Sequence, residues 1–295
     1  MTPSEFRFSH TLRVRWVEVD MQKIVFNGHY LMYFDTAVAQ YWRGLAMPYE
    51  ESMHQLGGDL YVAKAVLEYK ASARYEDRLR VCLKLSRIGN SSMTFTGAIF
   101  CDGKLLVTGE LVYVYADPAT QKSQTVPDVL RTWLLDFEAG KPMTRLEVGD
   151  WQTLGKNAML LRTEVFVEEQ GVPLALEHDE WDAKCEHAVV FNRLDQPMAT
   201  GRLLPAEAGV SRIGRMAVKR VLRGSGLGEI VLQALLDMAS GRGDLEVVLH
   251  AQTSAQDFYA KFGFKSDGEI YVEAGIEHIT MRKQLVTPAP FVIPA

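Results

Sequence analysis

The chain has 295 residues, 47% hydrophobic and 23% charged, a size and balance that fit roughly two globular domains, each able to bury its own core. A formal net charge of -5 and the lack of any run of lysines and arginines interleaved with aromatics exclude the footprint of a nucleic-acid binder. The three cysteines, Cys82, Cys101 and Cys185, form no CxxC pair, the N-terminus has no apolar leader stretch, and no segment reaches the roughly 18 consecutive apolar residues of a membrane helix, so the expectation is a soluble cytoplasmic protein without a metal.

The run HTLRVRWVEVD alternates, with Leu12, Val14, Trp16 and Glu18 pointing one way, and predicts a half-buried strand ending at Asp20. From about Gly28 the period changes: Tyr30, Phe34, Val38, Tyr41 and Leu45 recur at steps of three and four, the stripe of a long buried helix. Next come LYVAKAVLEYKASA, DRLRVCLKLSRIG and SMTFTGAIFCDGKLLVTGELVYVYAD, alternating runs punctuated by Gly89-Asn90 and Asp102-Gly103. They predict an antiparallel meander of about four strands, and one helix followed by such a sheet predicts an α+β domain in which the sheet wraps the helix. The stretch from about Pro118 to Glu147 carries turn residues and one short amphipathic piece, VLRTWLLDFEAG. It reads as a connection, which places the domain boundary at Gly140, with domains at 1–140 and 141–295.

The second half reads as strands alternating with helices, a mixed α/β layer. DWQTLGKNAMLLRTEVFVEEQGVP carries a helical stripe of Leu154, Ala158, Leu161 and Val165, and HAVVFNRLDQPMATGRLLPA is a hairpin turning near Gln196-Pro197. SRIGRMAVK is a strand, followed by RGSGLG and then a helix with Ile230, Val231, Ala234, Leu235 and Met238 on one face. LEVVLHA is a nearly continuous apolar strand, SAQDFYAKFGF a short helix stopped at Gly263, and EHITMRKQL a last strand.

Placement decides what RGSGLG means. Between a strand and a helix, glycines let the backbone approach a ligand while successive amides at the helix start aim at an anion such as a pyrophosphate. A P-loop would end in Gly-Lys-Ser/Thr, and here the end is Gly228-Glu229; a dinucleotide fingerprint would need a further glycine where Val231 stands. The remaining pattern, Arg-x-x-Gly-x-Gly on Arg223, Gly226 and Gly228, resembles the GNAT family of acyl-CoA-dependent N-acyltransferases. FYAKFGF matches that family's Tyr-x-x-x-Gly-Phe at Tyr259, Gly263 and Phe264, and VFVEEQGVP, LEHDEWD, LHAQ and GIEHITM look like the ElaA/YjcF-like bacterial subgroup, so the resemblance runs from about Glu147 to Leu285. It implies acetyl-CoA or another acyl-CoA as donor, a small-molecule amine as acceptor, and Tyr259 as the acid that protonates the departing thiolate. It further implies pyrophosphate on Arg223, Gly224, Ser225, Gly226, Leu227 and Gly228, and a β-bulge at Met216, Ala217 and Val218 for the pantetheine arm. The acidic stretch Glu177, His178, Asp179, Glu180 and Asp182 reads as an amine entrance or a solvated loop. A general base is open among His250, His278, Glu177 and a bound water.

EVDMQKIVFNGHYLMYFD puts a carboxylate at a strand end seven residues before Asn27, at the start of a buried helix. Helix amides attract charge developing on a thioester oxygen while a carboxylate attacks the carbonyl or activates water. The pattern resembles hotdog-fold acyl-CoA thioesterases of the 4-hydroxybenzoyl-CoA thioesterase type, over about Phe6 to Pro127. The resemblance implies Asp20 as catalytic acid, the Asn27 amide as oxyanion donor, and a homodimer or homotetramer with sites between subunits. Two departures stand out: Glu18 replaces the family's frequent aspartate, and Met21, Gln22 and Lys23 fill a turn that usually holds glycine. The expected function is a bifunctional acyl-CoA enzyme. The alternatives are an acyl-CoA sensor dimerised by the hotdog half and an N-acetyltransferase with an inactive hotdog half.

Overall fold

The first half is organised around one side chain seated on a bare patch of a sheet. Gly97 and Gly109 sit directly opposite each other on neighbouring strands, and a Cβ at either would fall 2.4 or 2.8 Å from ring atoms of Phe34. The paired glycines therefore open a slot that lets the helix carrying Phe34 lie close against the sheet. A computed structural model describes residues 1–285 and separates the chain into two compact units that divide between Met143 and Thr144.

In the first unit, β1 (Phe8–Arg13) leads through a loop to α1 (Asn27–Gly44) and α2 (Tyr49–Leu56), and then β2 (Asp59–Tyr69), β3 (Arg78–Ile88), β4 (Ser92–Cys101) and β5 (Lys104–Ala116) complete an antiparallel sheet of order β1-β3-β4-β5-β2. Tyr30, Phe34, Val38 and Tyr41 on α1 are buried, on the stripe the spacing predicts. This is the hotdog arrangement, a sheet wrapped round a long helix.

Two local expectations differ from the structure. The first strand stops at Arg13, and Trp16–Glu18 is a 3-10 turn with Trp16 74% exposed. The cause is Glu18, whose carboxylate folds back to accept the Arg15 amide at 2.7 Å and the Tyr33 hydroxyl at 2.8 Å. The stretch read as a connection contains α3 (Asp128–Glu138), with Leu130, Trp133, Leu134 and Phe137 buried. Trp133 Nε1 donates to the Leu45 carbonyl at 3.1 Å and Tyr41 donates to Glu138 at 2.6 Å, so α3 is part of the first unit's core.

The second unit runs β6 (Arg145–Gly149), α4 (Trp151–Arg162), a π-helical segment (Thr163–Glu169), α5 (Leu174–Glu177), β7 (Glu186–Phe191), β8 (Pro197–Leu203), β9 (Val210–Val218), α6 (Leu227–Arg242), β10 (Glu246–Gln252), α7 (Gln256–Lys261), β11 (Lys265–Glu273) and β12 (Ile276–Gln284). Its seven strands lie in the order β11-β12-β10-β9-β8-β7-β6, with β9 and β10 the parallel pair. Alternate residues of β7 feed two cores: Ala188 and Val190 join Val231, Leu232 and Leu235 of α6, while Val189 and Phe191 meet Leu154 and Ala158 of α4. The sheet is thus covered on both faces, as a GNAT-type mixed layer requires. No helix among the described residues is long and apolar enough to cross a membrane.

Candidate active sites

The parallel pair at the centre of the second sheet comes apart. β9 and β10 are in register only from Val210↔Glu246 to Ile213↔Leu249. Beyond that point β9 stays with β8 through Val218, and β10 stays with β12 through Gln252. A bulge marks the place: Thr200↔Ala217 is followed by Arg202↔Gly214, and Arg215 takes φ 52°. After it, Met216 and Val218 pack toward α6, and Ala217 packs with Leu161, Val165 and Phe166 of α4 and the π-helical segment. One backbone edge of Met216–Val218 therefore faces a gap between strands, a surface that an extended amide-bearing chain can pair with.

The glycine loop lies at the end of the same strand. Gly224 and Gly226 have φ 81° and 85°, in the left-handed region that side chains avoid, and α6 begins at Leu227. The amides of Arg223 and Ser225 donate to the carbonyls of Arg220 and Leu222 at 3.3 and 3.2 Å. Those of Gly224, Gly226, Leu227 and Gly228 donate to no carbonyl among the described residues. A Cβ on Gly228 would lie 3.3 Å from Val218 and 3.5 Å from Phe258, so this glycine lets the helix start approach β9 and α7. Arg223 does not reach outward alone: its guanidinium grips Glu169 through two 2.6 Å bonds and donates to the Val218 carbonyl at 3.2 Å. It ties the loop to the π-helical segment and to the end of β9.

Tyr259, on α7, is 8% exposed and packs edge-on against Phe258 and Phe264. Its hydroxyl has no hydrogen-bond partner among the described residues, and burial pushes its pKa up to about 12. The proton therefore stays on the oxygen at neutral pH, available to donate a hydrogen bond.

The acidic stretch is not solvated throughout: two of its carboxylates are buried in an ion-pair network. Glu177 and Asp182 are 2% and 3% exposed and pair with Arg162, whose Nε meets Glu177 and whose Nη1 lies 2.7 Å from Asp182. Arg202 bonds Asp179 and Asp182, each at 2.6 Å, and Arg215 donates to the Leu176 carbonyl at 2.8 Å and the Glu177 carbonyl at 3.2 Å. Burial raises the pKa of Asp182, but hydrogen bonds and charge from Arg162 and Arg202 outweigh it and hold the carboxyl below its usual range. The network fixes the 174–182 segment to α4, β8 and the bulge residue Arg215. Sequence reading missed it because its arginines lie in other elements, 15 to 38 positions from the acids they bind. Among the described residues no group of three or more His, Cys, Asp or Glu is placed to hold a metal ion.

In the first unit a tight turn carries Asp20. The Asp20 amide donates to the Ile24 carbonyl at 2.9 Å, and its Oδ1 accepts the Gln22 amide at 2.8 Å. The other carboxylate oxygen has no partner among the described residues. A Val19↔Val25 bridge closes the turn, and the Phe26 amide donates to the Glu18 carbonyl at 2.9 Å, which sets the start of α1 beside the turn. Lys23 is held at φ 61°, in the left-handed region where glycine sits without strain, and no ion pair links it to Asp20 among the described residues. The Asn27 and Gly28 amides at the helix start donate to no carbonyl among the described residues, while the Asn27 carbonyl accepts the Tyr69 hydroxyl at 3.1 Å. Tyr30 is buried and its oxygen accepts the Ala73 amide at 2.8 Å, fixing the helix start against the loop before β3. For Glu18, burial raises the pKa, and bonds from Arg15 and Tyr33 outweigh it to give a net lowering; it is a satisfied structural anion beside the exposed turn.

The comparisons with known proteins divide the chain in the same way. Residues 150–285 match the model of the acetyltransferase (GNAT) domain, and residues 14–134 match that of the thioesterase-like superfamily. YjcF of Bacillus subtilis, described as an uncharacterized N-acetyltransferase, is 38% identical over 130 residues, which are 43% of this chain and 91% of the relative. Protein ElaA of Escherichia coli is 32% identical over 130 residues, 43% of this chain and 84% of its own. A 1,4-dihydroxy-2-naphthoyl-CoA thioesterase from Synechocystis superposes with a TM-score of 0.41 at 18% identity, over 44% of this chain and 96% of that one. The chain therefore belongs to the GNAT acetyltransferase family through its C-terminal half, and joins to it a hotdog domain of the thioesterase-like superfamily at residues 14–134.

Proposed function

We propose that the protein is a bifunctional, cytoplasmic acyl-CoA enzyme that transfers an acetyl or other acyl group from CoA to a small-molecule amine in its C-terminal unit and hydrolyses an acyl-CoA thioester in its N-terminal unit. The observation that carries the reading is the set of amides at Gly224, Gly226, Leu227 and Gly228 that donate to no carbonyl among the described residues, beside a strand edge at Met216–Val218 where β9 parts from β10. Together they offer an anion cradle and an extended pairing edge on one line, which suits pyrophosphate followed by a pantetheine arm. Tyr259 then donates a hydrogen bond to the leaving sulfur. In the N-terminal unit, Asp20 takes a proton from a water whose oxygen bonds to the thioester carbonyl carbon, and the Asn27 amide steadies the oxyanion. The C–S bond breaks as the sulfur takes that proton from Asp20, so that CoA leaves as the thiol and the acyl group as the carboxylic acid. If Asp20 attacks the carbonyl itself, the acyl-aspartyl anhydride it forms is then opened by water to the same two products.

A homodimer or larger assembly through the hotdog unit goes with this reading. β2 lies at the sheet edge, pairs among the described residues with β5, and exposes Tyr61, Val62, Val66 and Tyr69. Sedimentation equilibrium is expected to give at least twice the 33.1 kDa chain mass, falling toward one chain in Val66→Lys. A monomeric wild type contradicts it.

A second reading has one observation in its favour: Asp20 Oδ1 is already engaged by the Gln22 amide, as in a turn cap. In that case the hotdog half binds and dimerises without cleaving, and only the acyltransferase turns over. CoA release measured with and without amines separates the two. Asp20→Asn is expected to abolish amine-independent release and leave the amine-dependent part; Gly226→Asp is expected to do the reverse. Hydrolysis surviving Asp20→Asn rejects the thioesterase assignment.

A further inference from the structure

The proton that must leave the acceptor amine needs a base, and the strand parting places one there. Val247, Leu249 and Ala251 of β10 face the α6 core, so His250 projects from the opposite face of the sheet, the face covered by α4. It is the first β10 residue beyond the last β9 pair, Ile213↔Leu249. The residue next to Ile213 on β9, Gly214, pairs with Arg202 on that same face, and a Cβ built on it would meet nothing within 4 Å. An open space therefore lies beside His250 where the two strands diverge. Gln252, the next β10 residue on this face, donates to Gln170 at 2.9 Å, at the end of the π-helical segment, and closes the far side.

His250 is built in rather than loose. Its Nδ1 lies 2.5 Å from the Tyr271 hydroxyl of β11 and 3.4 Å from Thr280 Oγ1 of β12, while Nε2 has no partner among the described residues. The other histidine of the region, His278, stacks on Tyr271 with ring centroids 6.0 Å apart, and its Nδ1 donates to the Ile276 carbonyl at 2.8 Å. It stands on β12, and β10 separates it from β9.

Resting on the acyltransfer reading of this unit, we propose that His250 Nε2 is the base for the acceptor amine and that Tyr271 is the positioning residue which holds Nδ1–H. The neutral amine nitrogen attacks the thioester carbonyl carbon and the C–N bond forms. The C–S bond breaks and the sulfur takes a proton from Tyr259; the nitrogen gives its extra proton to His250 Nε2, and the two side chains re-equilibrate with solvent. Around the imidazole stand Arg212 of β9, Tyr271 and Glu273 of β11, and His278 and Arg282 of β12. The residue is exposed at its surface, and partial desolvation by its neighbours, then Arg212, hold its pKa below the ordinary histidine value; Glu273 opposes, and His278 and Arg282 add to the lowering. The imidazole is therefore neutral at pH 7 and ready to accept a proton.

The test uses the full chain, acetyl-CoA and a panel of primary amines, with kcat followed against pH at saturating substrates. Wild type should lose kcat as pH falls through a value below the ordinary histidine range. His250→Ala should lower kcat by about 10²–10⁴-fold, leave KM for acetyl-CoA nearly unchanged, abolish that acidic limb and recover partly in added imidazole. Tyr271→Phe should move the limb with a smaller loss in kcat, a response that a purely packing role would not give. A His250→Ala chain that keeps the limb and most of its kcat overturns the proposal. Failure of the acyltransfer reading looks different: the wild type itself shows no amine-dependent release, and the assignment of His250 falls with it.

Discussion

Arg162 and Arg223 show how the same residue type does two jobs in one domain. Arg162 is 1% exposed and neutralises two buried carboxylates, Glu177 and Asp182, whereas Arg223 is 42% exposed by its side chain and pairs with Glu169 near the surface. Removing a partner from a buried network strands a charge in low dielectric; removing one from an exposed pair returns both ends to water. We predict that Arg162→Ala costs about 3–5 kcal/mol of stability. Arg223→Ala should cost about 0.2–1 kcal/mol while weakening CoA binding, because the loop it ties down loosens. Urea unfolding read beside CoA titration checks both, and equal losses of stability would contradict the division of roles. At this scale, sequence shows residues whose chemistry is local. Asp20, Gly226 and Tyr259 are visible from short motifs, but the grip of Glu169 on Arg223 spans 54 positions and the Tyr271 partner of His250 spans 21, so no spacing rule exposes them.

Elements were legible where burial imprints a period. α1 and the meander strands β3 to β5 carry clear stripes because one face of each is packed. β6 and β11 carry none: both are edge strands with almost every residue exposed or half-exposed, so no apolar alternation marks them. α3 had the right amphipathic stripe, and neighbouring turn residues made it read as a connection. β1 misled in the other direction, because Val14 is buried and Trp16 is not, and the alternation continues past the point where Glu18 bends the chain. The Gly97–Gly109 pair was also silent, since a glycine in a strand looks the same whether it relieves a turn or admits a ring. Gly97→Ala should lower stability by at least about 1–3 kcal/mol, since the added methyl overlaps the Phe34 ring and neither strand can retreat. A melting temperature unchanged in Gly97→Ala would show that the helix is not seated through that slot.

On the scale of the whole molecule, each of the two units begins a helix with backbone amides that donate to no carbonyl among the described residues, and the proposed function puts a thioester at one helix start and the pyrophosphate of CoA at the other. Among the described residues, the Asn27 and Gly28 amides at the start of α1, beside Asp20, and the Gly226 to Gly228 amides at the start of α6, beside the parted strands, donate to no carbonyl. The strand orders of the two units differ, and the common feature is physical: a helix N-terminus whose amide donors find no carbonyl among the described residues and which carries a partial positive charge. Family resemblance made this pairing visible in the sequence, but which amides remain unoccupied depends on turn hydrogen bonds that only coordinates give. The C-terminal cradle is the claim on which CoA recognition rests, and amide resonances read it residue by residue. In a titration of the ¹⁵N-labelled full chain with CoA, the resonances of Gly224, Gly226, Leu227 and Gly228 should move together and saturate, and the same titration of Gly226→Asp should leave the loop unmoved. Saturable CoA binding in the wild type with these four amides unshifted would contradict the account.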